Sequence, residues 1–347
     1  MIKVNRRWVL RASLAAGAAH LTLPALAQDR AAIIEAARKE GQLALATSAS
    51  QASFVKYLEA FKAKYPFLDV ATGLYAAPTG RVLARIDAEL RSGNVTVDVL
   101  HVANQAPYLE MARKGQLLHY PSAEYAAYPA GAHDGGHWAT ARAIGVIMAY
   151  NKNVLAADKA PKAWADLLRP EFKGKKIIIQ NAAAGTQFAQ IYMLEKALGL
   201  DFLKKLAAQQ PVIVATTGQL IDSLVRGEAL VGGTVDHWRA FEPEAVKAGI
   251  VPVYPTEGMP VAVAPIAIFK NAPHPNAARL FIDFVLSAEG QTLLNTELFG
   301  VYSMRNGLAP PPNQRPLAEA KPLLPTDLAD YEKAAANFPD HFDSLFK

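Results

Sequence analysis

The sequence predicts an α/β protein of two lobes, built on doubly wound mixed sheets and joined by a hinge. Apolar strands alternate with amphipathic helices along most of the chain, which is typical of doubly wound sheets with mostly parallel strands. A second series of strands and helices follows the first, and long apolar strands join the two series. The chain has 347 residues, 51% of them hydrophobic, so it is long enough to form two cores.

The first series contains three short strands, each followed by a helix. We predict helices over 31–39, around 54–61, over 81–92 and over 107–114, and strands over 43–47, 69–75 and 98–102. The carboxyl ends of parallel strands meet at one edge of a sheet, where open α/β sheets bind their ligands. The turns at 48–51, 77–80 and 103–105 should therefore gather around a ligand.

The second series follows a Tyr- and Gly-rich passage over 120–138. Its predicted strands are 143–150, 176–180, 211–214, 229–234, 251–254 and 261–269, and its predicted helices are 163–168, 186–198, 202–208, 218–226, 238–248 and 277–286. We predict lobe 1 from residues 28–141 plus 264–347 and lobe 2 from 142–263, with a cleft between them. The C-terminal tail could pack on either lobe.

An anion-binding wall is predicted where the strand at 177–179 opens through small residues into the next helix. The first backbone N–H groups of a helix lack internal partners, and the helix dipole favours negative charge there. Gly185 allows close approach, and the Thr186 hydroxyl can donate a hydrogen bond. This segment is the centre of the predicted site.

Further candidate ligand contacts lie on the turns and at the crossing between the lobes. The turn candidates are ordinary helix caps or ligand donors, because both roles use the same N–H groups. Arg142 could clamp an anion through its guanidinium or form a surface ion pair. The turn candidates are Ser48, Ser50, Thr79, Gly80 and Asn104.

The N-terminus predicts an export signal over residues 1–27. Lys3, Arg6, Arg7 and Arg11 form a basic region, an apolar stretch follows, and Ala25-Leu26-Ala27 fits a cleavage site. The mature chain is expected to begin at Gln28, in the periplasm. The adjacent arginines fit the twin-arginine pattern as well as an ordinary secretion signal. A membrane anchor is disfavoured, because Arg11, Ser13, His20 and Pro24 interrupt the apolar stretch.

Charge and cysteine content exclude several classes of protein. Without the four basic residues of the signal, 32 basic residues face 31 acidic ones, and no mature segment clusters Lys and Arg as a nucleic-acid binder does. The chain has no cysteine, so disulfides, thiolate metal sites, a cysteine nucleophile and a lipid-modified cysteine are excluded. We expect a freely diffusing monomer.

The sequence lacks the common motifs of enzymes and of metal or nucleotide sites. It contains no G-x-S-x-G, H-E-x-x-H, P-loop or G-x-G-x-x-G segment. His133, Asp134 and His137 have the side chains of metal ligands but lie in a Gly-rich loop without a helix to orient them. We therefore predict no cofactor and no enzymatic activity, and a secreted hydrolase remains the enzyme alternative.

Dispersed motifs resemble the extracellular solute-binding proteins of family 1, the periplasmic binding proteins of ABC importers for ferric iron, phosphonate or spermidine. The resemblance implies a type II periplasmic-binding fold that closes on its ligand and presents the closed form to a membrane permease. It also places a loop like that of Tyr302 near the cleft. The matching segments are AYNK at 149–152, PKAWADLL at 161–168, FKGK at 172–175, AGT at 184–186, GE at 227–228, YPTEG at 254–258, APHP at 272–275, FIDFVLS at 281–287 and EGQ at 289–291.

One departure from the family concerns the ligand. Iron-binding members carry two adjacent tyrosines after the strand at 230–234, where this chain has Asp236, His237 and Trp238. Their iron site therefore does not carry over. Asp236 and His237 could bind hydroxyls of an organic ligand beside the apolar face of Trp238, or contribute to a metal site. Alternatively, Asp236 caps the next helix and His237 packs in the core.

Together these observations predict the substrate-binding component of an ABC importer for a small organic phosphate, phosphonate or carboxylate. Donors at residues 48, 79, 80, 185 and 186 would hold the anionic end, and Asp236 and His237 would set specificity at the other end. Ferric iron bound through ligands other than tyrosine is one alternative. A ligand-sensing subunit for a membrane receptor is another, because it would use the same fold.

Overall fold

The computed structural model describes residues 22–182 and 185–347. The predicted signal over 1–27 lies largely outside the described residues, and its last six positions form the beginning of the first helix. No helix in the described ranges combines the length and apolar character that crossing a bilayer requires.

The first unit contains three short strands, each followed by a helix, as predicted. Strands β1 and β3 are fully buried, because they lie in the middle of the sheet and are covered by helices. In chain order the elements are α1 (Thr22–Glu40), β1 (Leu45–Thr47), α2 (Gln51–Lys64), β2 (Leu74–Ala76), α3 (Thr79–Ser92), β3 (Val99–His101) and α4 (Ala106–Arg113).

The strand predicted over 69–75 is shorter than expected. Asp69 makes only an isolated parallel bridge with Gln42. Its carboxylate instead accepts hydrogen bonds from the Ala71 N–H at 3.0 Å and the Thr72 hydroxyl at 2.8 Å. This local turn competes with strand pairing, so β2 begins only at Leu74.

Two long buried strands connect the lobes: β4 (Trp138–Asn151) and, later in the chain, β9 (Met259–Ile268). Between them lie β5 (Ile177–Gln180), α5 (Gly185–Leu198), α6 (Leu200–Ala208), β6 (Val212–Val214), α7 (Thr217–Val225), β7 (Val231–Asp236), α8 (Pro243–Lys247) and β8 (Ile250–Val253). A 3-10 helix at Trp164–Leu168 replaces the predicted short α-helix. The chain then continues through α9 (Pro275–Leu286), α10 (Ala288–Gln291), a π-helix (Thr292–Phe299), β10 (Pro322–Leu323), α11 (Leu328–Ala336) and α12 (Phe338–Phe346).

The helix predicted over 238–248 is interrupted. His237–Phe241 form a 3-10 helix, and α8 starts only at Pro243. Glu242 between them has φ −60° and ψ 139°, because the ring of Pro243 disfavours helical geometry in the residue before it. Trp238 and Arg239 of this 3-10 helix lie at the predicted cleft.

The strands form a mixed sheet in the order β2-β1-β3-β9-β4-β7-β5-β6, with β10 paired to β9 and β8 to β4. Pairing is parallel between β1, β2 and β3, between β5, β6 and β7, and between β9 and β10. Strands β4 and β9 pair antiparallel with each other, β4 also pairs antiparallel with β7 and β8, and β9 with β3. The predicted α/β class with a mixed sheet is confirmed, and the antiparallel pairs lie where the chain crosses between the lobes.

Apolar side chains separate into three clusters that draw on different segments of the chain. One cluster draws on residues 37–144 and 264–301, and the other two draw mainly on 143–263 and the C-terminal segment. Tyr331, Phe338 and Phe342 of α11 and α12 pack into the second group, so the tail lies on lobe 2. We keep the predicted division into lobes on the basis of these clusters.

Candidate functional site

A cleft of about 660 Å³ lies between the lobes. Lobe 1 contributes the turns that follow β1, β2 and β3, and lobe 2 contributes the ends of β5 and β7 and the starts of α5 and α7. Its volume is in the range of pockets that hold small organic molecules. The cleft therefore lies beyond the carboxyl ends of parallel strands, where the sequence predicted it.

Four helices begin at this cleft: α2, α3, α5 and α7. The residues before α2 and α3, Ser50 and Pro78, provide no side-chain cap, so their side chains do not occupy the first N–H groups of these helices. Thr216 does cap α7, accepting from the Gln219 N–H at 3.2 Å. The helix dipoles place partial positive charge on both walls of the cleft, which favours an anion.

Arg142 supplies a buried positive charge. It is 5% exposed, and its Nε donates to Nε2 of His101 at 3.1 Å. Neither Nη nitrogen donates a hydrogen bond to a residue in the described ranges, and the guanidinium lies 5.2 Å from the ring centre of Phe299. Burial lowers the pKa of Arg142 to about 10, so it stays charged at neutral pH. The predicted alternative of a surface ion pair is wrong, because the side chain is buried and pairs with no described carboxylate.

The lining on the lobe 2 side includes an acceptor group. Asp236, the last residue of β7, accepts from the Thr217 hydroxyl at 2.9 Å and from Gln180 Nε2 at 3.5 Å. Burial raises the pKa of Asp236, and hydrogen bonds from Thr217, Thr186 and Gln180 oppose that effect. Among the described lining residues, Asp236 is the only carboxylate and no tyrosine is present.

Most of the predicted contact residues line this cleft. They come from strands and turns that are far apart in the sequence, and the sheet topology brings them together. The predicted residues on its surface are Ser48, Ser50, Thr79, Arg142, Gly185, Thr186, Asp236 and Trp238.

Asn104 and Gly80 do not line the cleft. The Oδ1 of Asn104 accepts from the Ala106 N–H at 3.1 Å, so its side chain supports the start of α4. Gly80 lies in the first turn of α3, with open space where a Cβ would be.

His237 and Tyr302 are also absent from the lining. His237 is fully buried, its Nδ1 accepts from the Gly145 N–H at 3.0 Å, and its ring stacks on Tyr302 at 4.4 Å. The Tyr302 hydroxyl donates to the backbone carbonyl of Arg315 at 2.8 Å. Successive residues at the end of a strand point to opposite sides, so Asp236 reaches the cleft while His237 packs behind it. Of the alternatives for His237, packing is the one that the structure supports.

The sequence analysis missed several lining residues. Thr217 has the same sequence pattern as Thr79, because both place a hydroxyl at the start of a helix that follows a strand. This pattern could have identified Thr217 as a candidate. Gln180 ends a predicted strand, which is also a usable signal. Arg239 and Phe299 had no such signal, because the first needs the break before Pro243 and the second ends a π-helix.

The described residues contain no group of three His, Asp or Glu side chains close enough to hold a metal ion. In the His133 loop, Asp134 accepts from the backbone N–H groups of Gly136, His137 and Trp138 and pairs with His137 Nδ1 at 3.0 Å. These contacts hold the turn that leads into β4.

Comparison with known proteins identifies the family. The model of the bacterial extracellular solute-binding protein family matches residues 96–333, which is more than half of the chain. An uncharacterized protein of Haemophilus influenzae is 28% identical over 275 residues, covering 76% of this chain and 78% of the relative. The chain therefore belongs to the bacterial extracellular solute-binding proteins, which confirms the family resemblance.

Solved structures share the fold. Iron-bound HitA from Pseudomonas aeruginosa superposes with a TM-score of 0.74 at 22% identity, covering 87% of this chain and 99% of HitA. AfuA from Actinobacillus pleuropneumoniae, with fructose 6-phosphate bound, superposes with a TM-score of 0.75 at 23% identity, covering 88% of this chain and 98% of AfuA. These likenesses confirm the two-lobed periplasmic-binding fold.

Proposed function

We propose that the protein is the periplasmic binding component of an ABC importer and captures a small organic phosphate, phosphonate or carboxylate. The buried Arg142, whose two Nη groups lack partners in the described residues, is the observation that carries this proposal. An unpaired buried cation is costly, and an anionic ligand would supply its missing partner. The uncapped starts of α2 and α3 add neutral donors to the same cleft.

The ligand would span two different ends of the site. Its anionic group binds Arg142 and the helix starts, and a hydroxyl or ammonium group donates to Asp236. Closure of the lobes removes the ligand from water and strengthens both contacts, because Coulomb interactions grow as the surroundings become less polar. The ligand shifts an existing equilibrium between open and closed forms, and the closed form binds to the permease.

Fructose 6-phosphate and iron, the ligands of the structural neighbours, define the contrast to test. Ferric iron prefers several anionic oxygen ligands, whereas the described lining provides one carboxylate and no phenolate. Sugar phosphates, phosphonates and carboxylates each combine an anionic group with further polar groups. The donor and acceptor pattern of this cleft therefore favours organic anions over iron.

A thermal-shift screen tests the proposal on the chain from Gln28. The panel contains fructose 6-phosphate, 2-aminoethylphosphonate, citrate, putrescine, and ferric iron with and without carbonate. An organic anion at a hundredfold excess over its Kd should stabilise the fold by about 2.7 kcal/mol. A shift with ferric iron alone, or with no member of the panel, would contradict the proposed ligand class.

Two arginines in the cleft provide a matched comparison. Arg142→Met should weaken binding of the best anion by roughly 100-fold, because it removes two hydrogen bonds from a buried charge. Arg239→Met should have a much smaller effect, because Arg239 already pairs with Glu242 at 2.9 Å. Isothermal titration calorimetry of both variants gives the ratio of their anion affinities to that of the wild type. Equal losses of affinity in the two variants would show that Arg142 has no special role.

A further inference from the structure

The partner that holds Arg142 is an uncharged side chain. Its Nε donates to Nε2 of His101, and both side chains are at least 95% buried. Buried arginines are ordinarily neutralised by carboxylates. Here, within the described residues, the guanidinium donates a hydrogen bond to an imidazole and lies 5.2 Å from the ring centre of Phe299.

The hydrogen bonds determine where the imidazole proton lies. Arginine has only donors, so Nε2 of His101 must accept, and the proton of the neutral ring sits on Nδ1. Nδ1 lies 3.1 Å from the Thr47 hydroxyl oxygen and donates to it. Thr47 also accepts from the Ala49 N–H at 3.0 Å. Thr47 and His101 end the paired strands β1 and β3 in register, so the sheet itself aligns this chain of contacts.

The backbone of Arg142 is held by neutral groups as well. The register of β4 against β9 shifts between Thr140 and Arg142, which is a β-bulge at Ala141. The bulged carbonyl of Ala141 accepts from Gln291 Nε2 at 3.0 Å and Asn295 Nδ2 at 3.3 Å. A bulge re-aims the side chain beside it, so Gln291 and Asn295 stabilise the direction in which Arg142 projects.

We propose that His101 is a positioning residue that fixes the binding geometry of the anion. Its imidazole accepts the hydrogen bond that Nε of Arg142 donates, so Nε is not available to the ligand. The ligand therefore binds at the end of the guanidinium, where Nη1 and Nη2 donate to two oxygens of one anionic group. Because the imidazole is uncharged, Arg142 keeps its full positive charge for the ligand. The negative charge of Asp236 opposes the effect of burial on the pKa of Arg142, while its carboxylate accepts hydrogen bonds from Thr217 and Gln180. This inference rests on the proposed function.

Three substitutions at one position test the inference. His101→Gln places an amide oxygen where Nε2 lies and should keep binding of the best anion within about threefold of the wild type. His101→Asn is too short to reach Nε and should lose roughly 10- to 100-fold, the range for one hydrogen bond to a charged group. His101→Glu puts a carboxylate beside Arg142 and should reduce binding at least as much as His101→Asn, because the ion pair competes with the ligand.

A measurement on the ligand-free protein is independent of anion affinity. In 15N-labelled protein, the Nε–H signal of Arg142 should be protected from exchange in the wild type and in His101→Gln and exposed in His101→Asn. Circular dichroism checks that each variant is folded. If His101→Glu does not fold, the Gln and Asn pair alone decides the outcome.

The outcomes separate the inference from the proposed function. Loss in Arg142→Met with equal affinities in His101→Gln and His101→Asn would overturn the positioning role and leave the proposed anion site intact. Lack of binding by the wild type to fructose 6-phosphate, 2-aminoethylphosphonate and citrate would overturn the proposed function and the inference with it. The predicted order, Gln retaining and Asn losing affinity, supports both.

Discussion

In the proposed site, Arg142 is a charged donor and Asp236 the charged acceptor of the cleft lining. Asp236 also holds Thr217 in place through a 2.9 Å hydrogen bond. Both charges are carried by buried strands of the sheet rather than by loops alone, so little side-chain entropy is lost when a ligand binds them. A site of this kind discriminates by the spacing between the two ends of the ligand.

Asp236→Ala and Thr186→Val should weaken binding of the organic anion without unfolding the chain. Each removes a polar group from the cleft, and a loss of roughly tenfold is expected for each. Removing Asp236 also removes a half-buried carboxyl whose pKa is raised by burial, so the thermal midpoint of Asp236→Ala should not fall below that of Thr186→Val. Titration calorimetry and thermal melts measure the two effects, and unchanged affinity in both variants would contradict the site assignment.

His237 should make the fold sensitive to acid. Burial lowers the pKa of His237 to about 3, against 6.5 in the unfolded chain. Between these values the unfolded chain binds a proton that the folded chain does not, so the free energy of unfolding falls as the pH falls, by up to about 1.4 kcal/mol per pH unit. Urea unfolding at pH 7.5, 6.0 and 4.5 should show a smaller loss in His237→Gln than in the wild type. If the free energy of unfolding falls equally with pH in the wild type and in His237→Gln, His237 does not contribute to the acid sensitivity.

At the scale of elements, the bulge in β4 depends on the helical segment that follows α9. Gln291 Nε2 donates to the carbonyls of Ala141 and Val285, and its Oε1 accepts from Asn295 at 2.7 Å. The π-helix that begins after Gln291 ends at Phe299, which lies beside Arg142. This segment therefore shapes the cleft from behind.

Gln291→Leu should lower both stability and anion affinity. It removes the Gln291 donor from the carbonyls of Ala141 and Val285, at a cost of about 1–3 kcal/mol, and leaves Asn295 as the remaining side-chain donor to the bulge that directs Arg142. Gln209→Leu is the matched control, because Gln209 is also buried but donates to the carbonyl of Leu168 in lobe 2. The control should lose stability and keep its anion affinity. A similar loss of affinity in both variants would argue that Gln291 does not act on anion binding through the bulge at Ala141.

At the scale of the whole molecule, the lobes touch at two places. Gly185 of lobe 2 lies so near lobe 1 that a Cβ there would overlap the carbonyl oxygen of Ala103. Arg113 of α4 pairs with both carboxylate oxygens of Glu332 in α11, at 2.9 and 2.6 Å. Because α11 packs on lobe 2, this ion pair also joins the lobes. The form described is thus one in which the lobes are in contact.

Gly185→Ala should hold the lobes apart. The added methyl group blocks the contact with Ala103, so the closed form becomes rarer and the apparent Kd rises in proportion. Small-angle scattering with saturating anion should give a larger radius of gyration than for the wild type. Gly80→Ala is the control, because its Cβ would meet no atom within 4 Å. Equal scattering and affinity for Gly185→Ala and the wild type would show that closure does not need this approach.

The sequence by itself determined the α/β class, the mixed sheet, the family and much of the cleft lining. The alternation of strands and helices is a local pattern, and the ends of parallel strands meet wherever such a sheet forms. Ser48, Thr79 and Thr186 could be placed in the cleft because they follow strands, and Asp236 could be placed there through the family resemblance.

Only the tertiary structure decided how these residues are held. The contact of Arg142 with His101 and the support of Ala141 by Gln291 join positions 41 and 150 residues apart in the chain. Asp236 faces the cleft at the end of β7, whereas the next residue, His237, packs against β4, where its Nδ1 accepts from the Gly145 N–H. Such contacts depend on strand register and on the exact place of a bulge, which side-chain periodicity does not encode.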